Sequence, residues 1–320
     1  MTRKLVSVML SAFALLLLMG ASAAPEQPDA QLAEEESAAL AETALETEAQ
    51  LFEEEVLESA VQAAVSANPL EVAESTDDKL LIDGVPASLD LGKTQRNGVT
   101  YVSLAAMAQT LNSAAQVSWD GSTATVTTPN LTLTAQVGQL YLVANGRYLY
   151  LPEGVQLIDG RVIVPLWAVS EAFGATVGWD AATGTVLVTR GSGAIQSGDS
   201  YYNQEDLFWL SRVIFAESGN QSLEGKMAVG NVVMNRVANP IYPNTVQGVL
   251  AQKNQFSTYR SGALASRTPT EACIIAAKLV LDGGVVEETE GALYFDSTSN
   301  SWAARNRSYV ATLGNHRFYR

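Results

Sequence analysis

One passage of this chain is written twice. "NGVTYVSLAAMAQTLNSAAQVSWDGSTATVTT", from Asn97, returns as "DGRVIVPLWAVSEAFGATVGWDAATGTVLVTR", from Asp159. Val102-Ser103-Leu104 corresponds to Val164-Pro165-Leu166 at an offset of 62, and Trp119-Asp120 to Trp179-Asp180 at an offset of 60. Each copy reads as strand, short helix, strand, turn, strand. Pro165 suits a first helical position. The Trp-Asp segments read as hairpins turning at Asp and Gly, and "LLIDGVPASL" and "LYLVANGRYLYL" add hairpins through Asp83-Gly84 and Asn145-Gly146. The repeat therefore predicts an α+β domain of two related halves over residues 79–190.

The rest of the chain divides around that domain. At the start, Arg3 and Lys4 precede an almost wholly apolar run from Leu5 to Met19, and Ala21-Ser22-Ala23 offers a small-x-small cleavage site. Residues 1–24 read as a secretory signal peptide, with a stop-transfer anchor as the rival. Residues 25–78 hold 16 acidic residues and no Lys or Arg. Single-sign charge without a core reads as an extended, partly helical tether, or alternatively as a partner-binding helix. Residues 79–320 hold 18 acids against 17 bases, so the net charge of −15 is confined to the tether. A nearly neutral remainder without a basic stripe argues against nucleic acid. One cysteine, Cys273, and one histidine, His316, leave neither an intrachain disulfide nor a Cys- or His-built metal site to expect. Cys273 reads as core, and His316 as a structural hydrogen-bonding residue.

"GSGAIQSGDSYY", residues 191–202, reads as a Gly/Ser linker. A mainly helical domain follows over 203–320. Asn203 caps a first helix with apolar residues at Leu207, Leu210, Val213 and Ile214. A second helix runs from about Leu223 to Val237. Thr268-Pro269-Thr270-Glu271 reads as N-cap, N1 proline and N3 glutamate of a third, ending at Gly283-Gly284. "GALYFDS" reads as a strand.

Glu217 is the unusual residue. It closes the apolar run "SRVIFAE" at a helix end, where the dipole disfavours negative charge. Apolar neighbours and the helix C-terminus both raise a carboxyl pKa. A carboxyl group kept protonated near neutral pH is what a general acid at a glycosidic oxygen requires. The plain alternative is a glutamate that escapes to solvent.

Further residues resolve the larger pattern. Ala216-Glu217, Glu224-Gly225, Asn235-Arg236-Val237, Tyr242-Pro243, Gln255-Phe256-Ser257, "GALYF" and Gly314-Asn315-His316 occur in the order of a known family. The domain resembles the bacterial cell wall hydrolase family of spore cortex-lytic enzymes over about 115 residues. That resemblance implies a lysozyme-like fold and cleavage of peptidoglycan glycan strands, with lytic transglycosylase chemistry in some members. It places the catalytic glutamate on Glu217. Ser218 stands where many relatives carry arginine. The repeat region resembles the stalk domain first described at the N-terminus of copper amine oxidases. It carries no histidine, so no copper site is implied; wall attachment and a folded spacer are its two readings.

A lytic transglycosylase works with one acid, because the C6 hydroxyl of the sugar replaces the second carboxylate that ordinary glycosidases need. Glu224 is either a first-turn carboxylate satisfying backbone N–H groups or part of the site; Asp296 is a weaker candidate. Phe256 and Ser257 lie in a loop of the kind that flanks sugar clefts, where Phe256 either packs on a ring or anchors the loop. Tyr294 alternates with Phe295 on its strand, so one faces in. Asn231 and Asn235 share a helix face at i, i+4 and face either a groove or a loop. No cofactor is implied. The expected partner is peptidoglycan, and oligomeric state is not readable. Three functional readings remain: an exported transglycosylase, a simple hydrolase using a second carboxylate, and a wall-binding protein without activity.

Overall fold

The computed structural model describes residues 79–320, Asn254 apart. The signal-peptide and tether readings fall outside the described residues. Two parts follow each other: a β-rich N-terminal body and a helical C-terminal body.

The N-terminal body runs β1 (Leu80–Ile82), β2 (Val85–Pro86), β3 (Thr94–Arg96), β4 (Val99–Ser103), α1 (Leu104–Leu111), β5 (Gln116–Trp119), β6 (Thr123–Thr127) and β7 (Thr132–Gln136). It continues through β8 (Tyr141–Ala144), β9 (Arg147–Tyr150), β10 (Gln156–Ile158), β11 (Arg161–Pro165), α2 (Leu166–Ala172), β12 (Thr176–Asp180) and β13 (Thr185–Thr189). Both repeated passages thus run strand, helix, hairpin, and they meet where β4 pairs with β11, Val102 against Val164. Pro165 is the last residue of β11 and takes the N-cap of α2 rather than the first helical position expected of it, which falls on Leu166. Four turns carry an Asp or Asn followed by Gly, both at positive φ: Asp83-Gly84, Asn97-Gly98, Asn145-Gly146 and Asp159-Gly160. This is the geometry of a type I′ turn, matched to strand twist. The Trp-Asp turns are built differently. Asp120 accepts from the Ser122 and Thr123 amides, and Asp180 from the Ala182 amide. β1 closes the body by pairing in parallel with β13, Leu80 against Val186. Sheet β5-β6-β7-β8-β9 turns Ala124, Val126, Leu133, Ala135, Leu142 and Ala144 into one core shared with α1 and α2.

The segment 191–202 is docked rather than a free Gly/Ser linker. Ile195 is buried in the N-terminal core, the Gly198 amide donates to Asn145 O, and 198–201 form a helical turn, α3 (Gly198–Tyr201). Glycine is needed at 198 for contact: a Cβ there would lie 2.3 Å from Gly146 O.

The C-terminal body comprises α4 (Gln204–Ser218), α5 (Leu223–Ala238), α6 (Val246–Leu250), α7 (Ser257–Arg260), α8 (Ala263–Ser266), α9 (Glu271–Leu281), β14 (Tyr294–Asp296), α10 (Trp302–Asn306), β15 (Tyr309–Leu313) and β16 (His316–Tyr319). The strands form a small antiparallel sheet ordered β14-β16-β15. Helices α4, α5 and α9 pack on one another around Leu210, Val213, Ile214, Met227, Val233, Ala276, Ala277 and Val280. Gly230 lies where all three meet: a Cβ there would be 3.0 Å from Ile214 and 3.1 Å from Val280. The cap of α9 is Thr270, whose Oγ1 accepts from the Cys273 amide, so Glu271 opens the helix. That corrects the expected start at Thr268 by two residues. Pro269 then lies before the cap, where its missing N–H costs nothing. Cys273 is fully buried, as expected of a core residue. Among the described residues, no helix is long and apolar enough to cross a membrane.

Candidate active site

Helix α4 starts where Asn203 accepts from the Glu205 and Asp206 amides at 2.9 and 3.0 Å. Its inward stripe is Leu210, Val213 and Ile214, all buried. Glu217 lies three residues beyond Ile214 on the same stripe, so helical periodicity carries its carboxyl group inward rather than out. Glu217 is half-buried, and burial alone raises its pKa. Among the described residues its carboxyl group has no hydrogen-bond or ion-pair partner. Ser218 is fully buried and its Oγ donates to Ile214 O at 2.9 Å, which turns it back into the helix. Gly219 ends the helix, and a Cβ there would lie 2.7 Å from Phe215 O.

The turn behind Glu217 is held from the far end of the chain. Gln221 Oε1 accepts from the Asn315 amide at 2.9 Å, and its Nε2 donates to Asn220 Oδ1. Gly314 has φ 54° and is packed so tightly here that a Cβ would sit 2.0 Å from Gln221 Oε1. Lys226, only 3% exposed, donates from Nζ to Gln221 O at 2.7 Å. Gln221 and Lys226 were missed in the sequence, where nothing marks a glutamine as the partner of a turn 94 residues away. His316, next to that turn, differs from expectation. Among the described residues its buried Nδ1 has no hydrogen-bond partner, and the ring is held by Phe295 at 5.3 Å and Phe318 at 6.3 Å. Burial pushes its pKa down, against a smaller opposing pull from Asp296.

The remaining candidates fall into three groups. Glu224 lies in the first turn of α5, and its Oε1 accepts from the Tyr150 hydroxyl of the N-terminal body at 2.9 Å. Asp296 Oδ1 accepts from the amide and hydroxyl of Thr298. Each of these carboxylates is engaged, unlike Glu217. Asn231 and Asn235 hold loops. Asn231 Nδ2 donates to Gly284 O at 2.8 Å, Asn231 Oδ1 accepts from the Val286 amide at 3.1 Å, and Asn235 Nδ2 donates to Ala292 O at 2.9 Å.

The third group surrounds Arg236. This buried guanidinium donates to Leu293 O and Gln255 Oε1, and lies 5.4–5.7 Å from the rings of Tyr242, Phe256 and Tyr294. Burial lowers its pKa. Phe256 is 4% exposed, which makes it an anchor of its loop, while Ser257 at the start of α7 is exposed. Tyr294 is half-buried. Its hydroxyl accepts from Tyr242 at 3.0 Å and from Arg307 Nη2 at 3.2 Å, and these donors outweigh burial to lower its pKa. Its ring meets Trp302 at 5.7 Å, and Trp302 is largely exposed. A half-buried, unpaired carboxyl group and an aromatic–guanidinium cluster thus occupy one helical body. Such a set is suited to proton donation and to packing on sugar rings.

Comparison with known proteins divides the chain at the same place. Residues 220–319 match the family model described as Cell Wall Hydrolase, and residues 81–188 match that described as Copper amine oxidase N-terminal domain. The first match begins three residues after Glu217. The chain is 31% identical to a spore cortex-lytic enzyme of Bacillus cereus over 121 residues, 37% of this chain and 45% of that protein. It is 26% identical to the Bacillus subtilis spore cortex-lytic enzyme over 120 residues, 37% of this chain and 38% of that protein. The chain therefore spans less than half the length of these curated relatives. Among solved structures, the catalytic domain of the germination-specific lytic transglycosylase SleB from Bacillus anthracis is 29% identical. That comparison covers 39% of this chain and 100% of that domain, with a TM-score of 0.34.

Proposed function

We propose that this chain is an exported peptidoglycan-degrading enzyme that cleaves the glycan strand between N-acetylmuramic acid and N-acetylglucosamine as a lytic transglycosylase. The observation that carries the reading is Glu217: a half-buried carboxyl group with no partner among the described residues and a pKa raised by burial. The cell wall hydrolase match and the spore cortex-lytic relatives supply the substrate class. In this reading residues 1–24 are a signal peptide, 25–78 a tether, 79–190 a stalk, 191–202 the connection and 203–320 a lysozyme-like catalytic domain. The protein acts at the wall, outside the cell or in the spore envelope.

Glu217 donates its proton to the bridging oxygen as the C1–O bond breaks. The resulting carboxylate takes the proton of the C6 hydroxyl of the same sugar as that oxygen bonds to C1. The product is a 1,6-anhydro ring, and no water is consumed. One acid serves both steps because the nucleophile is intramolecular. Glu224 and Asp296 are engaged elsewhere, which favours this single-acid route over one with a second carboxylate. Ser257 and Tyr294 flank the strand, with Tyr294 held by Tyr242 and Arg307, while the buried Phe256 anchors the loop that carries Ser257. Asn231 and Asn235 contribute by fixing the loops around it.

Mass spectrometry of digested sacculi tests the reading. The wild-type chain releases anhydro-muropeptides, and Glu217→Gln lowers release by about 10²–10⁴-fold, the usual worth of a general acid. Reducing ends in place of anhydro ends turn the assignment to a hydrolase. Undiminished release by the variant overturns it.

A further inference from the structure

We propose that the seam between the two bodies carries a second glycan site, formed jointly by the sheet β5–β9 and helix α9. The glycan as ligand class rests on the peptidoglycan reading above; the site itself rests on geometry. A groove of about 160 Å³ opens there, lined among others by Thr134, Gln136, Tyr141 and Tyr148 of the sheet and by Glu271 and Ile275 of α9. None of its lining residues belongs to the Glu217 site.

Strand alternation explains its chemistry. Leu133 and Ala135 on β7, Ala124 and Val126 on β6, and Leu142 and Ala144 on β8 point into the N-terminal core. The residues between them face out. On β6 and β7 these are Thr123, Thr125, Thr127, Thr132, Thr134 and Gln136, a face of hydroxyls and an amide without formal charge. On β8 and β9 they include Tyr141 and Tyr148, whose rings lie 5.4 Å apart and tilted by 51°. Exposed sheet faces ordinarily carry charged residues. This one carries neutral hydrogen-bonding groups that end in an aromatic pair. Glu271, the one charged residue lining the groove, adds an acceptor for hydroxyl groups.

A pyranose ring asks for that combination: a ring face for its C–H side and uncharged donors and acceptors at its rim. The volume suits one six-membered ring, since a cavity of about 150 Å³ holds benzene. Thr134 and Gln136 spend no side-chain hydrogen bond within the described residues, so both are open to a ligand. The two walls of the groove are also tied to each other. The buried Arg147–Asp282 pair joins β9 to the end of α9, and the Tyr202 hydroxyl donates to Asp282 and accepts from the Tyr148 amide, each at 2.9 Å. A strand bound here is held by both bodies while another segment lies at Glu217.

The test uses the full chain carrying Glu217→Gln, which stops turnover. Tri-N-acetylglucosamine is titrated against methyl-labelled protein, with Ile275 as the reporter in the groove wall. The expected result is a saturable shift of the Ile275 methyl groups. It weakens by about tenfold in the double variant Thr134→Ala/Gln136→Ala, the size of one lost net hydrogen bond or slightly more. Neither side chain has a partner to lose, so folding is unaffected; Tyr141→Ala is the second variant. In the chain with Glu217 intact, the double variant releases less from insoluble sacculi and cleaves short soluble glycans at the wild-type rate. An Ile275 signal that does not move at millimolar saccharide, or that answers only to a stem tetrapeptide, overturns the site. If the wild-type chain releases nothing from sacculi while Ile275 still responds, the enzymatic reading fails and the groove stands.

Discussion

At the scale of the residue, Glu217 and His316 load the fold in opposite directions. Burial raises the pKa of Glu217, so the native state disfavours its charged form. The penalty is absent at low pH, begins as pH rises through the ordinary carboxyl range, and is complete above the raised native value. His316 is lowered, so its penalty appears instead as pH falls through the ordinary imidazole range. Glu217→Gln removes the first penalty alone. Its melting temperature, followed by calorimetry, is expected to equal wild type near pH 4 and exceed it near pH 7.5. In the proposed mechanism the same raised value governs turnover: release of anhydro-muropeptides is then expected to decline as pH rises through it. An alkaline limb shared by binding and turnover would point to another group. The half-burial of Glu217 was legible in sequence, since an apolar run ending in that residue needs only periodicity to be read. The absence of a partner among the described residues was not, because side chains from distant segments decide it.

At the scale of the element, the polar residues of α5 are spent on building. Asn231 closes two backbone groups of the loop that follows α9, and it is 4% exposed. Asn231→Ala leaves Gly284 O and the Val286 amide without their partner in a dry setting, at about 1–3 kcal/mol for each unsatisfied group. A clear fall in denaturation midpoint is expected, and Asn231→Asp, which keeps only the acceptor, should recover part of it. In a role confined to substrate contact, both would leave the midpoint in place. Gly314→Ala is expected to destabilise as well, through its positive φ and the collision with Gln221. The turns show why some of this was readable. Asn145-Gly146 and Asp83-Gly84 announce their φ values by composition alone. Thr268 and Thr270 do not announce which of them caps α9, because both precede Glu271 at workable spacing and packing makes the choice. The polar pair Asn231 and Asn235 was visible on one helix face, but the loops they hold, 53 to 57 residues on, were not.

At the scale of the whole molecule, the two bodies are joined by more than the chain between them. Tyr150 of β9 belongs to the core of the C-terminal body and donates to Glu224, while Arg147 binds Asp282 with both side chains at 10% exposure or less. Glu171 flanks the same guanidinium at 3.1 Å. None of this was legible in sequence, where Arg147 is an ordinary hairpin residue and Asp282 an ordinary helix end, 135 positions apart. The Gly/Ser content of 191–202 suggested a loose connection for the same reason. Glycine there permits close approach to Gly146, and a composition rule reads that as freedom. Breaking a buried pair on one side leaves an uncompensated charge and costs about 3–5 kcal/mol. Arg147→Ala strands Asp282, whose side chain is 1% exposed, so most of that loss falls on the seam. Calorimetry of the wild-type chain is therefore expected to show one cooperative transition, and the Arg147→Ala chain two, as each body melts on its own. The Arg147→Met/Asp282→Leu pair removes both charges and is expected to restore the single transition. Two transitions already in the wild type would mean that the contacts at the seam are too weak to couple the bodies.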